Sequence, residues 1–180
     1  MQAAFGGALA VITPDQPVTA VVLGSLAGLG VGGVLVPAAT VAITVTPDTT
    51  IATCVALSLS IRAIGGGIGY AVYFNVFKNK LTHNLPKYIA EYAIKAGLPI
   101  SAAETFVLTF LGAPDKIASV PGVTPAVIQG GVIGTRWAYA ESLKWVWITS
   151  IPFGVIAIIA CVLIGNVTKY MTNRVAATLN

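Results

Sequence analysis

Residues Pro17 to Thr46 read PVTAVVLGSLAGLGVGGVLVPAATVAITVT, thirty consecutive positions without one ionisable side chain. A helix rises about 1.5 Å per residue and needs roughly 20 mostly apolar residues to cross a hydrocarbon core of about 30 Å, so this stretch is long enough to span a bilayer by itself. Two further runs have the same character: Thr49 to Phe77, interrupted only by Arg62, and Trp145 to Thr168, with no ionisable residue. The whole chain of 180 residues is 56% apolar and 9% charged, with a mean hydropathy of +0.87. A soluble domain carries roughly 25% charged residues, so this chain has far too few to solvate a globular surface. The expected fold is all-α and integral to a membrane, with transmembrane helices at 17–46, 49–77 and 145–168 and the lipid bilayer as first partner.

What joins these runs differs from place to place. Ala3 to Ile12 is apolar but only half a span long, and no basic residue precedes Thr13, as a secretory signal would require; residues 1–12 read as the end of a span that begins upstream. Thr13 to Pro17 (TPDQP) and Thr46 to Thr49 (TPDT) combine helix-stopping prolines with residues suited to cap a following helix, which predicts tight turns between antiparallel spans. Residues 78–144 are polar by comparison and carry Pro86, Pro99, Pro114, Pro121 and Pro125, the mark of a long extramembrane loop. Within it, Leu85 to Ala96 has helical spacing, Ser101 with Glu104 forms a capping-box pattern, and Thr124 with Pro125 suits a helix start. These predict short amphipathic helices lying over the spans or at the lipid surface. Residues 169–180 form a polar tail.

Seven of the ten basic residues lie between Lys78 and Lys144, so the net charge of +4 belongs to one segment rather than to a nucleic-acid-binding face. By the positive-inside rule that segment would be cytoplasmic, although a loop of this length lies near the limit where the rule fades. Cys54 and Cys161 both sit in apolar runs, and His83 is the sole histidine; neither a disulfide framework, a metal site nor a cofactor is expected. Asn166-Val167-Thr168 is a formal glycosylation sequon pressed against the end of the third span.

Gly24, Gly28 and Gly32 recur every four residues, and Gly65 and Gly69 repeat the spacing in the second span. Small residues so placed let two helix backbones approach closely in lipid, which predicts tight helix neighbours; abundant glycine in membrane helices is the plainer reading. Gly28, Gly30 and Gly33 also spell GxGxxG, but a dinucleotide site needs a strand before it and an exposed helix start after it. Arg62 is the one ionisable residue within a span, and arginine at mid-membrane costs about 2.5 to 3.5 kcal/mol. It must therefore meet protein or water. At helical spacing Ser58, Arg62, Gly65, Gly69 and Tyr73 share one arc, flanked by Tyr70. That face is either the wall of a substrate path, in which Arg62 attracts an anionic group, or a structural feature in which it pairs with a carboxylate or snorkels. Pro37, deep in the first span, removes a backbone hydrogen bond and predicts a kink, either at a binding site or as a plain bend.

The segment SIRAIGGGIGYAVYFNVF (Ser60 to Phe77) resembles the penultimate span of the fungal fourteen-span branch of the major facilitator superfamily, which comprises trichothecene efflux pumps and siderophore-iron transporters. The likeness extends through GLGVGGVLVPAATVA (Gly28 to Ala42), VPGVTPAVIQGG (Val120 to Gly131), WAYAESLKWVW (Trp137 to Trp147), SIPFGVIAIIA (Ser150 to Ala160) and KYMTNRVA (Lys169 to Ala176). The resemblance implies a proton-linked or potential-driven carrier of a hydrophobic or chelate substrate, working by alternating access in the plasma membrane. It implies no catalysis. It also implies that this chain is the C-terminal part of such a carrier, completed by N-terminal spans, with the long loop outside and residues 169–180 as a cytoplasmic tail, against the charge count. Two other classes stay open. One is a free-standing small membrane protein that oligomerises through its glycine faces without transporting anything; the other is a membrane-bound oxidoreductase, resting on GxGxxG alone.

Overall fold

The computed structural model describes residues 2–166. Five helices follow one another: α1 (Gln2–Leu9), α2 (Pro17–Val45), α3 (Ile51–Lys95), α4 (Ile100–Gly112) and α5 (Pro125–Ile164), with short 3-10 turns at Asp48–Thr50 and Pro114–Ser119. Three of them, α2, α3 with its leading turn, and α5, are long and apolar enough to cross a membrane. The expected tail at 169–180 and the last residues of the third run lie outside the described residues.

The helices run further than the changes of composition along them. The sequence passes from apolar to polar at Phe77, yet α3 continues through Lys78 and Pro86 to Lys95; it passes back at Trp145, yet α5 has already begun at Pro125. The helices expected as short pieces over Leu85 to Ala96 and after Thr124 are the far ends of two long ones. A change of polarity alters which solvent a helix meets, not its hydrogen bonding. Pro86 removes one backbone bond, and α5 splints the site from both sides: Asn84 Nδ2 donates to Ser142 Oγ at 3.2 Å, and Tyr88 packs its backbone against Gly134.

The partners run in opposite order along the two helices. Tyr73 meets Phe153 edge-on with ring centroids 6.0 Å apart, Phe77 meets Tyr139 at 5.9 Å, Tyr88 meets Gly134 and Tyr92 meets Gly130. α3 and α5 are therefore an antiparallel pair in contact over most of their length.

The dry core lies at the polar end of this pair. Ile89, Ala93, Leu98, Ala103, Phe106, Val107, Ile117, Val120 and Val127 form one buried cluster, so α4 turns its Phe106 face inward rather than lying free at a lipid surface. α3 ends there in a Schellman arrangement: Gly97 takes φ +105°, its N–H donates to the Ile94 carbonyl at 3.0 Å, and the Leu98 N–H donates to that of Ala93 at 3.0 Å. Thr124 caps α5 as expected, accepting from the Val127 N–H at 3.3 Å, with Pro125 at the first position. The capping box at Ser101 and Glu104 does not form. Pro99 is the N-cap of α4 and its carbonyl accepts from the Ala102 N–H at 3.0 Å, which draws Ser101 into the first turn. At the two turns expected to cap the helices after them, Gln16 of the first and Thr50, one residue beyond the second, hold the cap positions, without side-chain capping bonds.

No described residue of α2 is buried. Short α1 packs on α2 and α5, with Gly6 facing the Trp147 ring and Gly7 facing Ile151.

Candidate functional site

α2 and α3 meet at the Asp48–Thr50 turn and then diverge enough to leave an apolar groove of about 450 Å³. Leu35, Ala38 and Ala42 of α2 line one wall; Cys54, Ser58 and Arg62 of α3 line the other. Ala38, Ala42 and Ser58 are too small to fill the gap that Leu35, Ile43 and Leu59 border, and the Cys54 thiol ties the two walls by donating to the Ala42 carbonyl at 3.6 Å. Arg62 stands at the other end, exposed, and among the described residues no carboxylate pairs with it. The groove can take an elongated apolar group with an electron-rich end at the guanidinium, whose planar fork offers five N–H donors.

The four side chains expected to share a path do not converge. Ser58 and Arg62 line the groove. Tyr73 turns instead to Phe153 of α5, and Tyr70 faces outward, 70% exposed and stacked on Phe74 with centroids 5.7 Å apart. The arc drawn from spacing is wide enough for its two ends to meet different neighbours. Pro37 lies within α2, which continues on both sides of it; Ala38 and Ala39, which follow it, line the groove.

The glycine stripes are uncovered. Around the Cβ positions of Gly24, Gly28, Gly32 and Gly65 no described atom lies within 4 Å, and Gly69 meets only the Tyr73 ring of its own helix, at 3.9 Å. The close backbone approach occurs elsewhere, at Gly130 and Gly134 of α5 against Tyr92 and Tyr88, while Gly131 between them takes the Phe110 ring. Gly130 and Gly134 have the same four-residue spacing, which could have marked them. Gly28, Gly30 and Gly33 sit in the middle of α2, with no preceding strand and no exposed helix start. The GxGxxG pattern here is a stretch of helix surface, and the oxidoreductase reading loses its basis. Among the described residues no cluster of His, Cys, Asp or Glu could hold a metal ion.

Three long apolar helices, one of them without a buried residue and one that places Arg62 beside an open groove, define a multi-pass helical membrane protein. The family model of the fungal trichothecene efflux pump (TRI12) matches residues 1–180, and the chain belongs to that family. It is also similar to the MFS-type transporter prx5 of Penicillium rubens, with 26% identity over 171 residues, covering 94% of this chain and 31% of that protein. The chain thus spans about a third of the length of this relative. No solved structure matches it.

Proposed function

We propose that the chain supplies the C-terminal spans of a secondary active carrier, proton-linked or potential-driven, that moves a hydrophobic toxin of the trichothecene type or a siderophore-iron chelate across the plasma membrane by alternating access. The α2/α3 groove carries this reading: an apolar wall ends at the one cation of these spans, an arrangement suited to an amphipathic or chelate substrate. Family membership and the extent of the match to an MFS-type transporter support it. In this reading the uncovered glycine faces of α2 and α3 receive the spans that precede them, and residues 78–144 face outward while the tail faces the cytoplasm. The apolar runs hold no carboxylate, so a proton-carrying Asp or Glu comes from other spans.

Alternating access needs one repeat to rock against another around a central site. The test is a transport assay on the full-length locus with a trichothecene panel and a ferric-siderophore panel, run beside the 180-residue chain. Flux from the long protein and none from the chain alone is expected. Saturable, substrate-specific flux from the reconstituted chain would refute the reading. Homo-oligomers of the chain that leave both proteins inactive would favour a small membrane protein assembled through the same glycine faces.

A further inference from the structure

The seam between α3 and α5 has two unlike halves. Along the apolar lengths the helices meet through the Tyr73 and Phe153 rings, and no described residue of α3 before Ile89 or of α5 after Ser142 is buried. At the polar end a third helix joins them. α4 lays Phe106 and Phe110, ring centroids 5.5 Å apart, on Gly131 of α5, where an added methyl group would stand 2.9 Å from the Phe110 ring and 3.3 Å from that of Phe106. Phe106 is fully buried, in the cluster that also holds Ile89 and Ala93 of α3 and Val127 of α5. Gly130 and Gly134 take the α3 backbone instead, so a single turn of α5 has α3 against one side and α4 against another. The linkers close the end: Gly122, at φ +83°, lies against Pro99, whose Cδ would be 2.8 Å from an added Cβ.

We propose that α4, with the turns on either side of it, is a clamp that fixes the spacing of α3 and α5 from outside the hydrocarbon, so that the two spans move as one body. The ground for this is where apolar burial is driven. In lipid, side chains that leave acyl chains for one another gain no hydrophobic free energy. Burial of Phe106, Ile89 and Val127 away from water does gain it, and the exposed Lys87, Glu91, Lys95 and Arg136 mark this end of the pair as water-facing. The core is also drawn wholly from this chain, between Ile89 and Val127, and among the described residues no buried side-chain nitrogen or oxygen is left for another segment to satisfy. Inter-helix contacts run from the Asn84–Ser142 bond to Ala96 beside Gly130, about 18 Å of helix. That length fixes the crossing angle as well as the distance. The clamp is independent of what the protein transports and of the direction in which it does so.

The experiment places spin labels at Ile68→Cys of α3 and Ile158→Cys of α5, both exposed and both on the apolar lengths, in the 180-residue chain carrying Cys54→Ser and Cys161→Ser. The α3 label is about 32 Å along the helix from Ile89. Electron paramagnetic resonance of the chain in lipid nanodiscs should give one narrow distance between the labels. Phe106→Ala empties the centre of the core without touching either labelled length, and that narrow distance should be lost to a broad distribution. Ile117→Ala, at the edge of the same core, is the milder variant and should broaden the distribution less, with helical circular dichroism unchanged. Tyr73→Ala removes the ring contact nearest the labels and should leave the distance narrow. The proposal is overturned if Phe106→Ala and Ile117→Ala both keep the narrow distance, if Tyr73→Ala broadens it as much as Phe106→Ala, or if the unaltered core already gives several spacings.

Discussion

A methyl group on Gly134 of α5 would stand 2.5 Å from the backbone carbonyl oxygen of Tyr88 in α3. One turn earlier Gly130 stands in the same relation to Tyr92, at 2.7 Å. Two backbones touch here with no side chain between them, at the point where the pair enters its buried core.

Gly134→Ala should therefore force the helices apart. Overpacking a fitted contact costs roughly 1 to 3 kcal/mol, and the atom struck is backbone, which cannot rotate away. Gly28→Ala meets empty space in this chain and gains helix propensity, at most about 1 kcal/mol. Thermal unfolding of both variants in one detergent tests the contrast, and equal midpoints would show that the backbones do not meet as described.

Gly65→Leu should leave the stability of the isolated chain unchanged, because no described atom lies near that position. In the full-length protein the same change should lower abundance, as a branched side chain there pushes an incoming span away. Normal abundance in the long protein would show that the stripe faces lipid.

Asn84→Ala removes the side-chain hydrogen bond that ties α3 to Ser142. Ser142 is buried, but its hydroxyl also donates to the Ala138 carbonyl at 2.7 Å, so it keeps a partner. The loss should stay within about 0.5 to 1.5 kcal/mol. A double-mutant cycle with Ser142→Ala measures it, and strict additivity would mean that the two side chains do not interact.

Thr124→Ala should cost about 1 kcal/mol through loss of the N-cap, read as faster amide exchange at Val127. Ser101→Ala should have a much smaller effect, since Ser101 lies inside the first turn of α4 and caps nothing.

Arg62 separates two roles. If the guanidinium serves the substrate, Arg62→Lys in the full-length protein keeps the charge, loses the planar fork and lowers flux per molecule at normal abundance. If it pairs with a carboxylate on another span, Arg62→Ala strands that charge at a cost of roughly 3 to 5 kcal/mol, and abundance falls first. Normal flux and abundance in both variants would leave it a snorkelling side chain.

The stretch Pro17 to Thr46 was legible because thirty charge-free residues have few other uses, and α2 ends within one residue of it. Thr124 and Pro125 were legible because a cap is a local pattern. The reach of α3 and α5 was not, since polarity reports the surrounding medium while helix length follows from partners: Lys78 and Pro86 look like endings until α5 is laid against them. The same cause hid Gly130 and Gly134, which lie in a stretch whose composition suggests a loop. At the groove, Ser58 and Arg62 could be paired from spacing alone, whereas Tyr70 and Tyr73 could not, because spacing places residues on a face without saying which neighbour that face meets.

At 45 residues α3 is a rod of about 68 Å, more than twice the thickness of a hydrocarbon core. Tilting such a rod by about 10° about one end displaces the other by about 12 Å. With α5 strapped alongside, a small rotation among the apolar helices arrives at the capped end as a large sideways sweep. A distance probe attached near Gly97, away from the groove, should therefore report a tilt of the membrane-side helices as a displacement of this size, and an unchanged distance on adding substrate to the full-length protein would show that the pair does not swing.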